Sequence, residues 1–284
     1  MRARIEELND VRILCCLNRD LVSSYALNLL LPALAAHDVH VALSDRIGSA
    51  SALAEEPRSR IMLRTVEQTL ATEAFFPLLE RSGHPDDGRR HLTFGELERL
   101  RGIPVASLPS PNSPEGMAAI AAFAPDLILS VRYGAIFKAA SIALPRYGVL
   151  NLHAGILPAY RGVIASFRAL LHGDAEIGCT LHYITDGTID TGPIVAIARV
   201  PVQRGRSLFA HVLSLYPEAT PLIAQALEQL ARDEQPSGVS QTGGTYYGYP
   251  TEAEWDEFAR AGWEVATPMD LQEAFRRYMP PHSR

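Results

Sequence analysis

The chain has 284 residues, 47% of them hydrophobic, and is long enough for one large domain or two small ones with a sizeable core. Its net charge of −6 disfavours a nucleic-acid partner, because proteins that neutralise phosphates are usually basic. No apolar run approaches the roughly 20 residues of a membrane span, and three cysteines without a CxxC motif indicate thiols in a reducing compartment. We therefore predict a cytoplasmic protein that binds neither nucleic acid nor membrane.

The first predicted unit is strand–helix–strand. Residues 11–18 form an apolar run with β-branched members, 23–37 have helical spacing, and 39–45 return to a strand pattern. Ser23 or Ser24 is the predicted N-cap of the helix. Such a unit indicates a parallel strand pair with a right-handed crossover.

A helical region follows this unit. Residues 55–83 have helical character in two or three pieces, and the polar segment 84–91 is a predicted loop. In the next helix, over 92–102, Thr93 and Glu96 have the spacing of a capping box.

The second half of the chain alternates again. Further strand patterns lie at residues 103–108, 126–133, 148–153, 177–185 and 192–202. Helical patterns lie at 113–125, 166–174 and 207–234, and in the last of these Pro217 and Pro221 predict a bend or a division. The alternation predicts a doubly wound α/β fold with a mostly parallel sheet and at least one antiparallel pair near its end.

The composition changes after residue 234, where Gly, Ser, Thr and Tyr become frequent. We therefore predict a core domain over residues 1–234 and a C-terminal extension over 235–284 that packs on this core. An apolar face on 207–234 or on the extension would be a candidate surface for a homodimer.

Two polar side chains end the strand pattern at 148–153. Asn151 and His153 are two residues apart, so they share one face of the strand, at the carboxyl end where open α/β sheets bind ligands. An amide can donate to a carbonyl oxygen that gains negative charge, and an imidazole can donate or move a proton. The alternative is a pair of capping residues that close the strand.

A turn between the last two strands carries two carboxylates. Asp186 and Asp190 lie in the sequence "HYITDGTIDTGPI", and a carboxylate beside His153 would orient the imidazole. For Asp186 the alternative is a plain Asp-Gly turn. Sequence motifs for a phosphate loop, an HExxH zinc site and a GxSxG elbow are absent, so no metal site is predicted.

The segments "NLHAGILPAYRG" and "GCTLHYITDGTIDTGPIVAIARVPV" resemble the folate-dependent formyltransferases. The resemblance is strong over about residues 102–202, weaker over 11–101, and small after 235. It implies a Rossmann-like formyltransferase core with 10-formyltetrahydrofolate as the formyl donor and an amine as the acceptor. It also implies that Asn151, His153 and Asp190 are the catalytic residues and that no metal is needed.

The resemblance further implies a folate site between the loop "RYGAIF" (132–137) and the "DGTID" turn. The implied folate-binding residues are Tyr133, Gly134, Ala135, Ile136, Phe137, Asp186, Gly187 and Ile189. For Ile136 and Phe137 the alternative is an ordinary place in the core. Backbone groups of this loop would contact the pterin, and Gly134 would permit its close approach.

Departures from the family pattern bear on the acceptor. The segment "LNRDLVSS" replaces the Gly-rich phosphate loop of glycinamide ribonucleotide enzymes, and Gly155 replaces a usual serine. The chain is therefore closer in pattern to the nucleotide-sugar and hydroxyornithine branches, which formylate small amines, than to the methionyl-tRNA branch. We expect the specificity for the acceptor to depend on residues 46–101 and on residues 235–284. The alternatives are a formyltetrahydrofolate deformylase and a folate-binding protein without catalysis.

Overall fold

A seven-stranded sheet forms the centre of the protein, which is described here by a computed structural model covering residues 10–44 and 57–280. Its strands are β1 (Arg12–Asn18), β2 (Asp38–Ser44), β3 (Val105–Ser107), β4 (Leu127–Val131), β5 (Val149–His153), β7 (Glu176–Ile184) and β8 (Ile194–Pro201). A separate two-stranded sheet contains β6 (Tyr160–Gly162) and β9 (Thr245–Tyr247). The order in the large sheet is β3-β2-β1-β4-β5-β7-β8.

The sheet changes direction at β5. The strands from β3 to β5 are parallel neighbours, whereas β7 pairs antiparallel with β5 and β8 pairs antiparallel with β7. This arrangement confirms the predicted α/β fold with a mostly parallel sheet, and it confirms the antiparallel pair expected between the last strands.

Helices cover both faces of the sheet. They are α1 (Leu21–Leu34), α2 (Arg58–Arg64), a π-helix (Thr65–Phe75), α3 (Phe76–Ser82), α4 (Phe94–Arg101), α5 (Pro114–Phe123), α6 (Ala139–Ile142), α7 (Ala165–His172), α8 (Leu208–Ala231), α9 (Glu252–Arg260) and α10 (Pro268–Arg276). Alternate residues of β1 face the two helical layers on opposite sides of the sheet. Ile13 and Leu17 join the core beneath α1 and α8, whereas Leu14 and Cys16 pack with Ile120 of α5.

The predicted N-cap of α1 is wrong, and the predicted division of α8 is not observed. The N-cap of α1 is Asp20, whose carboxylate accepts a hydrogen bond of 2.6 Å from the Ser23 backbone, so the helix begins before the predicted serines. Helix α8 continues through Pro217 and Pro221 instead of being divided. Each proline loses one helical hydrogen bond, and burial of neighbouring side chains such as Tyr216 offsets that loss.

Other local predictions are confirmed. The predicted helical region 55–83 begins outside the described residues, and from residue 57 onward it is helical in three pieces, one of them π-helical. Thr93 and Glu96 form the capping box of α4. The exposed side of α8 is polar, with Glu218, Gln225 and Glu228 facing outward, so the apolar face considered for dimerisation is not present on this helix. Among the described residues, no helix has the length and hydropathy to cross a membrane.

The C-terminal segment packs on the same core as the sheet. Trp255 and Phe258 of α9 contact Phe167 of α7, with ring centroids 4.3 and 4.7 Å apart. Trp263 and Tyr278 are also buried in this core. The segment therefore completes the hydrophobic layer on one face of the sheet.

Candidate active site

The antiparallel pairing of β5 with β7 places a histidine beside Asn151. In this register Asn151 lies opposite His182, and the Asn151 Nδ2 atom is 3.0 Å from His182 Nε2. His182 Nδ1 lies 2.9 Å from the Tyr183 carbonyl, which can only accept, so Nδ1 carries a proton. In the neutral ring Nε2 then accepts from the Asn151 amide, which directs that amide as a donor, whereas in the charged ring Nε2 donates to Asp190 Oδ1, 3.4 Å away. The sequence showed His182 in the same segments as His153 but gave it no role.

The imidazole of His153 lies between two acceptors. Its Nε2 atom is 2.7 Å from the Tyr160 carbonyl oxygen, and its Nδ1 atom is 3.4 Å from Asp190 Oδ2. The side chain is buried, with 8% of the residue exposed. Because both nitrogens face oxygen atoms, a doubly protonated ring can donate to both, and the ring plane is fixed from two sides.

Gly155 makes this position of His153 possible. A Cβ atom on Gly155 would lie 2.5 Å from Ala165 Cβ, 2.6 Å from His153 Nε2 and 2.9 Å from the Tyr160 carbonyl oxygen. All three distances are shorter than van der Waals contact. The replacement of the usual serine by glycine is therefore linked directly to where the imidazole lies.

Asp190 is the residue that joins these groups. It accepts a hydrogen bond of 2.8 Å from the Gly162 backbone, and its Oδ1 atom is 3.4 Å from His182 Nε2. Its backbone has φ of +55°, a left-handed conformation that non-glycine residues seldom adopt. Burial acts to raise the pKa of Asp190, but His153, His182 and the Gly162 N–H together lower the pKa below its ordinary value.

The structure thus brings the three predicted catalytic residues together, with His182 as a fourth member. Contacts run from Asn151 to His182, from His182 to Asp190, and from Asp190 to His153. They lie where β5 ends, at the edge of the sheet formed by the carboxyl ends of its parallel strands. A donor amide, two imidazoles and a charged carboxylate can stabilise an oxyanion and move a proton.

The loop predicted to contact folate follows β4 and is held by asparagines. Asn18, at the end of β1, accepts a 2.9 Å hydrogen bond from the Gly134 backbone. Asn112 donates to the Ile136 carbonyl at 2.6 Å and accepts from the Lys138 backbone at 2.9 Å. Sequence reasoning did not give either asparagine a role, because their partners are distant in the chain.

Side chains of this loop divide between the core and the surface. Phe137 is buried in the smaller apolar core, as the alternative interpretation predicted, and the Tyr133 hydroxyl donates to the Leu108 carbonyl. Ile136 is 46% exposed, so the core alternative is wrong for this residue. Ala135 is partly exposed beside it.

The second predicted folate element is the turn after β7. The Asp186 carboxylate accepts from the Thr188 backbone at 2.7 Å, and this bond together with one from the Thr188 hydroxyl lowers the pKa of Asp186. Asp186 therefore shapes the turn, as the Asp-Gly alternative predicts. Ile189 is 36% exposed. A Cβ on Gly187 would lie 3.9 Å from the Phe137 carbonyl, so the two loops adjoin.

A buried ion cluster supports the start of the first loop. Arg132, in a left-handed conformation with φ of +57°, binds Glu67 of the π-helix at 2.8 Å and Asp20 at 3.4 Å. Burial raises the pKa of Glu67, although Arg132 opposes this shift. No local sequence pattern predicts this cluster, because its members come from three separate regions of the chain.

In the part of the chain that the structure describes, no group of three His, Cys, Asp or Glu side chains is arranged to hold a metal ion. The fold and site define a doubly wound α/β protein with a polar cluster at its strand ends that can stabilise an oxyanion and move a proton.

Comparison with known proteins supports assignment of the central segment to the formyl transferase family, whose model matches residues 106–210. This segment contains Asn151, His153 and Asp190. The methionyl-tRNA formyltransferase of Pseudomonas savastanoi pv. phaseolicola is 38% identical over 132 residues, which are 45% of this chain and 41% of that relative. The enzyme of the same name from Dehalococcoides mccartyi is 30% identical over 182 residues, covering 63% and 56%. The chain spans about half the length of the curated relatives it matches.

Solved structures share the fold at low sequence identity. A sugar N-formyltransferase from Shewanella sp. has a TM-score of 0.52 and 16% identity, with 88% of this chain and 87% of that chain covered. The glycinamide ribonucleotide transformylase 1 of Symbiobacterium toebii has a TM-score of 0.53 and 22% identity, with 82% and 95% covered. The fold is therefore the Rossmann-like fold of formyltransferases. The curated relatives carry the methionyl-tRNA name, so the predicted branch is not confirmed.

Proposed function

We propose that the protein is an N-formyltransferase that moves a formyl group from 10-formyltetrahydrofolate to the amine of a small molecule. The observation that carries the proposal is the contact network of Asn151, His153, His182 and Asp190 within the segment that matches the formyl transferase family. The names of the curated relatives and of the structural neighbours support the same reaction class.

In the proposed reaction, the amine lone pair attacks the formyl carbon and forms a tetrahedral oxyanion. The Asn151 amide, directed by His182, donates a hydrogen bond to that oxygen. The imidazolium of His153 keeps Nδ1 toward Asp190 and donates from Nε2 to the oxyanion in place of the Tyr160 carbonyl. Donors of this kind typically contribute about 10²- to 10³-fold each in rate. The C–N bond to the folate then breaks, and the proton lost by the attacking nitrogen passes to the leaving nitrogen.

Asp190 suits the role of orienting His153 in this reaction. Its lowered pKa keeps it ionised at neutral pH, where a carboxylate stabilises the imidazolium form. Its two carboxylate oxygens already face His153, His182 and the Gly162 N–H. We propose that it acts through the imidazole and that any proton relay involves water.

The folate would lie between the loop 132–137 and the turn 186–190. Two observations support this position. The loops adjoin, and each presents an exposed isoleucine, Ile136 and Ile189, which would form apolar walls for a flat pterin ring. The backbone of Gly134, Ala135 and the residues on either side would contact the pterin edge.

For the acceptor we propose a hydroxyornithine-type amine or a nucleotide-linked amino sugar. The net charge of −6 supports a small acceptor over a tRNA, and a sugar N-formyltransferase is among the structures with the same fold. We place the protein in the cytoplasm on the evidence of its cysteine usage. The curated relatives make methionyl-tRNA a necessary member of any acceptor panel.

The test is an assay with 10-formyltetrahydrofolate and a panel of acceptors: hydroxyornithine, ornithine, dTDP-amino sugars, glycinamide ribonucleotide and methionyl-tRNA. Folate release is followed by absorbance and the formylated product by mass. His153→Ala should lower kcat/KM at least about 100-fold, because it removes an oxyanion donor. His84→Ala, in the segment between α3 and α4, is the control histidine and should retain the wild-type rate.

Three results would contradict the proposal. A His153→Ala rate near that of the wild type would remove the imidazole from the mechanism. Formate release without any amine would favour the deformylase alternative. Tight folate binding without turnover across the whole panel would favour a binding protein.

A further inference from the structure

A segment of the C-terminal extension runs along the edge of the candidate site. We call residues 236–247 the strap. At its start the Pro236 carbonyl accepts a 2.8 Å hydrogen bond from the Tyr183 hydroxyl. Val239 and Ile194 then exchange two backbone hydrogen bonds of 2.7 and 2.8 Å. The strap is thereby fixed to β7 and to the first residue of β8.

The side chain of Gln241, in the middle of the strap, binds the turn that contains Asp190. Its Nε2 atom donates to the Gly192 carbonyl at 2.6 Å and to the Asp190 carbonyl at 3.2 Å. One amide thus holds both carbonyls that flank Thr191. Asp190 needs such support, because its left-handed backbone is unfavourable for a residue with a side chain.

The end of the strap acts on the carboxylate of the same residue. Strand β9, at residues 245–247, pairs in parallel with β6, and the Tyr247 carbonyl accepts from the Val163 backbone at 3.0 Å. Gly162, on β6, is the residue whose N–H donates to Asp190 Oδ2. The strap therefore contacts the main chain of Asp190 directly through Gln241. It supports the Asp190 carboxylate indirectly, through the pairing of β9 with the strand that contains Gly162.

We propose that Gln241 is a positioning residue for Asp190 and that the strap sets the orientation of the carboxylate toward His153. The expected change in kcat rests on the proposed function, whereas the expected change in the position of the Asp190 carboxylate does not. Loss of the Gln241 amide leaves two buried carbonyls without their donor, so the turn relaxes and the carboxylate moves away from His153 and the Gly162 N–H.

The experiment compares Gln241→Met with Thr242→Val. Methionine keeps the length of the side chain and removes the donor without adding charge. Thr242 is the neighbouring exposed residue and makes no contact with the turn among the described residues. Kinetics with the best acceptor and the ¹³Cγ titration of Asp190, assigned with Asp190→Asn, are measured for both variants.

For Gln241→Met we expect kcat to fall about 10- to 100-fold with the KM of the folate donor within about twofold. The titration midpoint of Asp190 should rise toward its ordinary value of 3.8, because the groups that lower it are no longer in place. Thr242→Val should match the wild type in both measurements.

An unchanged Asp190 midpoint in Gln241→Met would overturn the inference, whatever the rate. A shifted midpoint with an unchanged rate would also overturn the kinetic part. If the wild type transfers no formyl group to any acceptor, the proposed function fails, whereas the titration still decides whether Gln241 positions Asp190.

Discussion

Adding one methyl group to Gly155 tests whether the imidazole of His153 must lie against Tyr160. In Gly155→Ala the new Cβ would be 2.5 Å from Ala165 Cβ, 2.6 Å from His153 Nε2 and 2.9 Å from the Tyr160 carbonyl oxygen. Two of these neighbours are a short side chain and a backbone atom, which cannot rotate away. The imidazole therefore has to move and to give up its 2.7 Å hydrogen bond to Tyr160.

The expected magnitude follows from these contacts. Overpacking a filled core costs about 1–3 kcal/mol, and a lost hydrogen bond contributes about 0.5–1.5 kcal/mol. We expect the free energy of unfolding to fall by about 2–3 kcal/mol, which corresponds to a decrease of about 3–5 °C in Tm. Because His153 is displaced, kcat/KM should fall at least about 10-fold.

The assay combines urea unfolding, followed by circular dichroism, with formyl transfer to the best acceptor. Gly248→Ala is the matched control, since a Cβ at Gly248 meets no atom within 4 Å and its φ is not positive. We expect that control to stay within about 1 kcal/mol of the wild type. A Gly155→Ala variant with wild-type stability and rate would refute the assigned position of His153.

Two further predictions concern the folate loop and the pH dependence of stability. Asn18→Ala leaves the Gly134 N–H without its acceptor. The KM of the folate donor should therefore rise about 5- to 10-fold while kcat stays within about twofold. An unchanged KM would show that this loop does not contribute to binding of the donor. Burial lowers the pKa of His91 from 6.5 to about 4. As the pH falls from 6.5 to 4, the histidine is therefore protonated in the unfolded chain before it is protonated in the folded protein. The free energy of unfolding should decrease over this range by up to about 3 kcal/mol. His91→Phe should reduce this loss in urea titrations at several pH values, and an equal slope in both proteins would contradict the assignment.

The order of strands and helices could be predicted because each element has its own local signal. The alternation of apolar residues, the Thr93–Glu96 capping box and the glycine after α4 depend on neighbouring residues only. The helix is not divided at Pro217 and Pro221, because the local effect of proline competes with burial over the whole length of α8. The π-helix was not predicted, since its pattern resembles that of an ordinary helix.

The candidate site could be predicted only in part. Asn151 and His153 share one strand, and period-two geometry is enough to place them on the same face. The proximity of His182 depends on the register between β5 and β7, which sequence spacing does not reveal. Likewise, Arg132 and Glu67 form a contact across 65 positions of the chain, and no local pattern indicates such a pair.

The parallel pairing of β9 with β6 joins the C-terminal segment to the strand whose Gly162 N–H holds Asp190. Exchange of the C-terminal region would therefore also exchange the support of this aspartate. Successful chimaeras between this chain and its relatives must therefore keep an amide donor at position 241 and the alignment of Thr245–Tyr247 with Tyr160–Gly162. The C-terminal segment and the candidate site cannot be exchanged independently, because both depend on the pairing of β6 with β9.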